Sequence, residues 1–306
     1  AVHIFEQALQ AATAAFGRNS VEHLRVLCSL ITLLTESGLV EQAGPHVATA
    51  DDVAQHIKPL PADARVNHQI VKGGYLFHRG DLAGAEIELQ AALAESGLRK
   101  QDGTLVAVQA RNVLAGIAEA RKDYARAEEH YKSAVEHLAG MPAGNERDDF
   151  ELLTLANRSQ MLLRLGRIPE AEAALERARG IADRTLPKLH PRHISLLQRQ
   201  ASCAEKQGDA RRELALYQQA LTMAEVLWPT PISLCGDLLH GLGEAHGKLG
   251  QASEAFTALG KAREIHASTK GAQSNAVRED LVALAQIARR SGEPQRALAY
   301  GEQALE

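Results

Sequence analysis

Small residues recur in this chain at a fixed interval, and that interval constrains the fold more than any other feature. Ala1, Ala43, Ala85, Ala127, Ala171, Ala255 and Ala297 form one series, with Glu213 in the single place where alanine is missing. The steps are 42 residues, apart from one of 44 between Ala127 and Ala171. A second alanine follows each anchor seven residues later: Ala8, Ala50, Ala92, Ala134, Ala178, Ala220, Ala262 and Ala304. Five residues before the anchor stands a glycine: Gly38, Gly80, Gly166, Gly208, Gly250 or Gly292, with Lys122 as the exception. A period of this length means a stack of similar units, each packed only on its neighbours.

Each part of the pattern has a physical reason. The glycine ends a first helix, where a residue at positive φ is needed. Polar residues follow it (Asp81, Asp123, Asp209, Gln251, Glu293) and suit the start of a second helix. Two alanines seven apart lie on one helical face and let backbones approach closely. A larger residue between them (Phe5, Leu89, Tyr131, Leu175, Tyr217) fills the remaining space. The spacing therefore predicts a lone second helix over 1–16, then seven helical pairs near 20–58, 65–98, 106–139, 149–184, 192–227, 234–269 and 276–306. Pro and Gly punctuate the connections, at Pro59, Pro61, Gly97, Gly103, Pro187, Pro191, Pro229, Pro231 and Gly271. The connection 140–148 holds the two extra residues of the long step and is the expected flexible seam. The first residues already read as helix interior, and the last unit has no polar cap, so a fragment of a longer protein is expected.

Composition fits this picture and narrows the function. Hydrophobic residues make up 45% of the chain but aromatics only 4%, which is a core of alanine and leucine. A net charge of −4 supplies no global field toward nucleic acid or anionic membrane, so neither is expected as a partner. No apolar run is long enough to span a bilayer. Cys28, Cys203 and Cys235 are scattered and read as small buried hydrophobes, which fits a cytoplasmic or other reducing compartment. No catalytic constellation, cofactor motif or metal set is legible, and an enzyme is not expected. His190 and His193 flank Pro191 in a loop, and no third ligand accompanies them. The run Gly241–Gly247 imitates a phosphate loop, but it lacks the preceding strand and the lysine. Its glycines fall in a first helix, where packing explains them.

The small residue at the eighth position of each unit (Gly73, Ala115, Ala201, Gly243, Ala285), the turn glycine and the paired alanines together resemble the tetratricopeptide repeat family. The resemblance covers nearly the whole chain. The period of 42, where the family's usual repeat is shorter, is similar to the kinesin-light-chain type, as are the stretches FGRNSVEHLRVL and LHPRHISLLQRQAS. Glu213, Ser159 and Gly301 depart from the pattern. The resemblance implies an all-α fold, a right-handed α-solenoid of antiparallel helix pairs forming a single domain over 1–306. It also implies a concave groove lined by the first helices.

In this chain the implied groove positions give Asn67, His78, Gln109, Asn112, Asn157, Gln160, Arg164, Gln198, Arg199, Ser202, Lys206, His240, Lys248, Gln286, Arg289 and Arg290. Their amides can bond an extended peptide backbone of any sequence. Arg164, Lys206, Lys248 and Arg290 recur at intervals of 42, whereas the earlier units carry Glu36, His78 and Ala120 at that position. This basic ladder reads as a preference for an acidic peptide. It reads equally as long side chains covering the adjoining turns. Only fragments of the carboxylate clamp of chaperone-binding repeats are present, in Asn157, Arg199 and Lys206, so chaperone binding is not implied. Two functions follow as expectations. One is a non-enzymatic module that binds a peptide segment or partner protein in the groove. The other is a scaffold or sensor segment that makes contact through edges or ends.

Overall fold

The computed structural model describes residues 2–97 and 105–305. The anchor Ala1, the connection residue Gly103 and the terminal Glu306 lie outside the described residues. All fifteen described elements are α-helices. In order they are α1 (Val2–Phe16), α2 (Val21–Glu36), α3 (Val40–His56), α4 (Ala62–His78), α5 (Leu82–Gly97), α6 (Leu105–Ala120), α7 (Tyr124–Ala139), α8 (Asn145–Arg164), α9 (Ile168–Thr185), α10 (Pro191–Gln207), α11 (Ala210–Leu227), α12 (Ser233–Lys248), α13 (Ala252–Lys270), α14 (Asn275–Arg290) and α15 (Pro294–Leu305). α1 is the lone helix expected at 1–16, and the rest form the seven expected pairs of an α-solenoid. The chain divides into two compact units, residues 1–161 and 162–306, with the division inside α8.

The alanine register is the core of both units. Ala43, Ala85, Ala127, Ala171 and Ala255 are fully buried, as are Ala50, Ala134, Ala178, Ala220 and Ala262. The larger residue between the alanines is buried too in Val47, Leu89, Tyr131, Leu175, Tyr217 and Leu259, with Leu89, Leu175 and Leu259 completely so. Close approach is literal at the eighth position. A Cβ on Gly73 would stand 2.7 Å from Leu89 Cγ, and one on Gly243 would stand 2.6 Å from Leu259 Cγ. Gly241 and Gly247 receive Tyr217 and Ile287 in the same way, so the phosphate-loop imitation is helix packing.

The turns show why glycine dominates there. Gly38, Gly80, Gly166, Gly208, Gly250 and Gly292 have φ between 72° and 86°. Lys122 adopts the same left-handed conformation at φ 61°, against the steric preference of an L-residue. The next helices begin with side-chain caps: Asp123 accepts from the Arg126 amide at 3.1 Å, and Asp209 from the Arg212 amide at 3.0 Å. The connection 140–148 is tied back to α7, where Arg147 Nε donates to the Leu138 carbonyl at 2.9 Å.

Polar contacts between repeats take two forms. In the first, the residue after one anchor meets the arginine before the next. Glu86 accepts from Arg126 at 2.6 Å, Glu172 accepts from Arg212 at 2.6 Å, and the Arg296 guanidinium lies 3.8 Å from the Phe256 ring centre. These are staples between successive second helices, α5 to α7, α9 to α11 and α13 to α15. In the second form, a buried glutamate on a second helix bonds a cation on the next first helix. Glu128 accepts from Arg158 at 2.7 Å, and Glu213 accepts from Lys248 at 2.8 Å. Glu213 thus fills the missing anchor with only 1% exposure, because its carboxylate has a cation to reach.

The three cysteines are free and buried. Burial pushes the Cys28 thiol up to about 12 and the Cys203 thiol up to about 11, which suppresses the reactive thiolate. Among the described residues no helix is long and apolar enough to cross a membrane. None of their His, Cys, Asp and Glu side chains form a group of three or more placed to hold a metal ion.

Candidate functional site

All sixteen groove positions fall on first helices, and each unit presents its own set. In the unit 1–161, Asn67 and His78 lie on α4, Gln109 and Asn112 on α6, and Asn157 and Gln160 on α8. Asn112 is not available for a peptide backbone as the sequence suggested. Its Nδ2 and Oδ1 lie 3.0 and 3.2 Å from Thr154 Oγ1, so its amide ties α6 to α8. Asn157 and Gln160 are likewise engaged by protein neighbours.

The unit 162–306 brings the remaining residues closer to a recognisable site. Gln198, Arg199, Ser202 and Lys206 lie on α10, His240 and Lys248 on α12, and Gln286, Arg289 and Arg290 on α14. A cleft of about 360 Å³ lies between α12 and α14. It joins two of the expected residues, His240 and Gln286, with Glu244, Asn275, Arg278, Glu279, Val282 and Ala283. Val282 and Ala283 are the apolar part of its lining, and the rest carries both signs of charge. Such a lining can bond an extended segment through its polar side chains and meet one apolar residue.

The wall at His240 is fixed from behind by a charged network. His240 Nδ1 donates to Asp280 Oδ1 at 2.7 Å. The other oxygen of Asp280 lies 2.7 Å from His266 Nδ1. His266 Nε2 lies 3.0 Å from Asp237 Oδ1, which also accepts from Lys270 at 3.0 Å. Asp280 is fully buried and His266 is 2% exposed. Burial by itself lowers the His240 pKa, but the bond to Asp280 and the charges of Glu244, Asp280 and Glu279 outweigh it and raise the pKa above 6.5.

Three substitutions of the repeat pattern make this network. The first position of a unit is a buried apolar residue in Leu24, Val66, Val108, Leu152 and Ile194, but it is Gly236 in the sixth unit. Eleven residues past the anchor stand Leu138, Ala182 and Ala224, but His266 in the sixth unit. A Cβ on Gly236 would lie 2.5 Å from His266 Nε2, so the glycine makes room for the imidazole. The third position, apolar in Val26, Ala110, Leu196 and Leu238, becomes Asp280 in the seventh unit. Asp280 and His266 lie outside the alanine, glycine and groove positions, so the repeat pattern did not mark them. Glu279, Val282 and Ala283, also absent from the expected set, occupy the implied groove positions of the last unit.

The basic ladder is unequal along its length. Arg164 and Lys206 are exposed at the ends of α8 and α10. Lys248 is committed to Glu213 at 2.8 and 3.0 Å and to Glu205 at 3.3 Å. Burial works against its charge, but the bonds and charges of the two glutamates more than offset this and raise its pKa. Burial raises Glu213 as well, against the pull of Lys248. The lysine's direction governs the contact at neutral pH, because it answers to two carboxylates. Arg290 donates to the Gly247 carbonyl at 2.8 Å and so covers the adjoining turn. Two of the four rungs therefore follow the packing reading.

Comparison with known proteins places this architecture. No curated protein sequence matches the chain. Among solved structures, the apo form of RapI superposes with a TM-score of 0.73 at 13% identity, covering 92% of this chain and 76% of that one. A Rap protein complexed with Competence and Sporulation Factor gives a TM-score of 0.65 at 15% identity, covering 93% and 77%. A putative kinesin light chain from Podosopora anserina, with nearly identical TPR-like repeats, gives 0.57 at 20% identity, covering 69% and 99%. These likenesses concern the fold. The family described as tetratricopeptide repeat matches residues 151–225 and 235–306. Over those residues, the chain is similar to the tetratricopeptide repeat family.

Proposed function

We propose that the chain is a non-enzymatic protein-interaction module whose first helices receive an extended peptide segment of a partner. The observation that carries this reading is the cleft between α12 and α14. There Val282 and Ala283 offer an apolar contact, and His240, Glu244, Asn275, Arg278, Glu279 and Gln286 offer donors and acceptors. The network behind His240 supports it, because a wall held by Asp280 and His266 keeps its shape without a partner. A solved Rap neighbour is complexed with Competence and Sporulation Factor, which is a supporting precedent for ligand binding on this fold. The period of 42 and the Podosopora anserina neighbour support a kinesin-light-chain-like subtype of repeat.

The partner segment is acidic in this reading. The cleft itself carries Glu244 and Glu279 against Arg278, so the preference comes from exposed Lys206 and Arg289 along the first helices. We place the module in a reducing compartment, in keeping with three free buried cysteines. The experiment is selection from a displayed peptide library with the full chain, followed by affinity measurement on Val282→Arg with Gln286→Ala. We expect at least a tenfold loss, with weaker binding at higher salt. Unchanged affinity in that double variant, with its helical signal intact, would overturn the cleft as the site.

A further inference from the structure

A second cavity, of about 320 Å³, lies in the unit 162–306 between α9, α10 and α11, away from the cleft of α12 and α14. Its apolar walls are Leu186, Leu196, Leu197 and Met223, and its polar residues include His193 and Gln200. Gln200 is 7% exposed, and its Oε1 is buried with no hydrogen-bond partner. His193 Nε2 is likewise buried and unpartnered. Two residues that line one cavity thus each bury a polar atom without a partner, unlike the usual interior, where such groups find partners.

Gln200 occupies the seventh position of its unit, where Leu30, Leu114, Leu242 and Leu284 are buried in four other units and Lys72 and Arg158 pair with Glu88 and Glu128 in two; Gln200 Oε1 has no such partner. A leucine there would close the wall and remove the penalty of a buried, unbonded amide. His193 is also not the loop residue that the sequence suggested. It lies in the first turn of α10, with Nδ1 3.8 Å from Asp183 Oδ1, and it is His190 that caps the helix.

We propose that this cavity is a binding site for a neutral, branched aliphatic amide, whether a small molecule or a leucine-type residue of a peptide with its own amide groups. The carbonyl oxygen of Gln200 asks for an N–H donor, which a carboxylate does not have. The imidazole Nε2 gains a partner from the same amide group. Two cations line the cavity as well; Arg179 faces Asp183 at 3.7 Å, and the pull of Lys188 on an anion is what the isovalerate probe measures. The four apolar walls match a branched alkyl group.

The test uses the full chain with methyl-labelled methionine. Met223 lines the cavity, while Met141 and Met161 lie in the other unit and act as internal controls. Isovaleramide is expected to shift the Met223 methyl signal saturably and to leave Met141 and Met161 unmoved. Isovalerate, of the same shape but without the donor, is expected to bind roughly tenfold or more weakly. N-acetylleucine amide separates the sources: tighter binding than isovaleramide assigns the site to a peptide residue, and weaker binding assigns it to a free amide. Gln200→Leu is expected to level the amide and the acid. An unmoved Met223 at the solubility limit, equal shifts with both probes, or a preference that survives Gln200→Leu would overturn the proposal. Should Gln200→Leu fail to fold, the discrimination between amide and acid in the wild-type chain decides alone.

Discussion

Lys122 holds a backbone conformation that six glycines hold elsewhere in the chain, at φ 61° against their 72° to 86°. A lysine there crowds its Cβ against the carbonyl, and glycine removes that contact. Lys122→Gly is therefore expected to stabilise the unit 1–161 by about 1 kcal/mol in urea unfolding, net of the entropy that glycine adds to the unfolded chain. The opposite result follows from crowding the alanine register. Ala127 and Ala134 are fully buried, so Ala134→Leu should cost about 1–3 kcal/mol by overpacking, seen as a lower melting temperature. His240 carries a pH dependence. Its folded pKa is raised above 6.5, so its stabilising contribution is complete below that value and fades as pH rises through the folded pKa. The stability difference between wild type and His240→Gln should accordingly be larger near about pH 6 than near about pH 9 in urea titrations. A difference that grows with pH would show that the network holds a neutral imidazole.

The elements are joined by contacts of two kinds, and these differ in how far the sequence reveals them. The helix pairs were legible because backbone approach admits only small residues, and small residues leave a countable period. The turn at Lys122 and the lone helix α1 followed from the same count. The charged joints were not legible, because a bond such as Glu213 to Lys248 spans 35 residues and depends on side-chain reach. Glu213 looked like a defect in the anchor series, and Lys248 looked like a groove cation. Each explains the other. Asn112 was misplaced for the same reason, since Thr154 claims its amide from the next first helix. Lys248→Met should leave the Glu213 carboxylate buried and alone, at a cost of about 2 kcal/mol once the exposure of the lysine is discounted. Adding Glu213→Ala should restore most of that loss, because alanine returns the register of the other units. A double variant as unstable as the single one would mean that the glutamate serves packing and not charge.

At the scale of the whole molecule, function depends on what each unit displays, and the two units display different things. The unit 162–306 carries the cleft of α12 and α14 and the cavity of α9, α10 and α11. Binding to the first is expected to fail in Val282→Arg with Gln286→Ala, and the preference for amide over acid at the second in Gln200→Leu, each without loss at the other site. The joints between repeats have a further consequence. The staples Glu86–Arg126 and Glu172–Arg212 are half open to water on the arginine side, at 45% and 44% exposure. The Glu128–Arg158 pair is enclosed, at 6% and 18%. Mobile ions screen the first kind and scarcely reach the second. Ionic strength thus acts on this array as a selective lubricant, easing alternate joints and leaving those between them stiff. In about 1 M salt, where free charges are screened beyond about 3 Å, amide exchange should quicken along α7 and α11 while α15, held to Phe256 by a ring contact, keeps its pace.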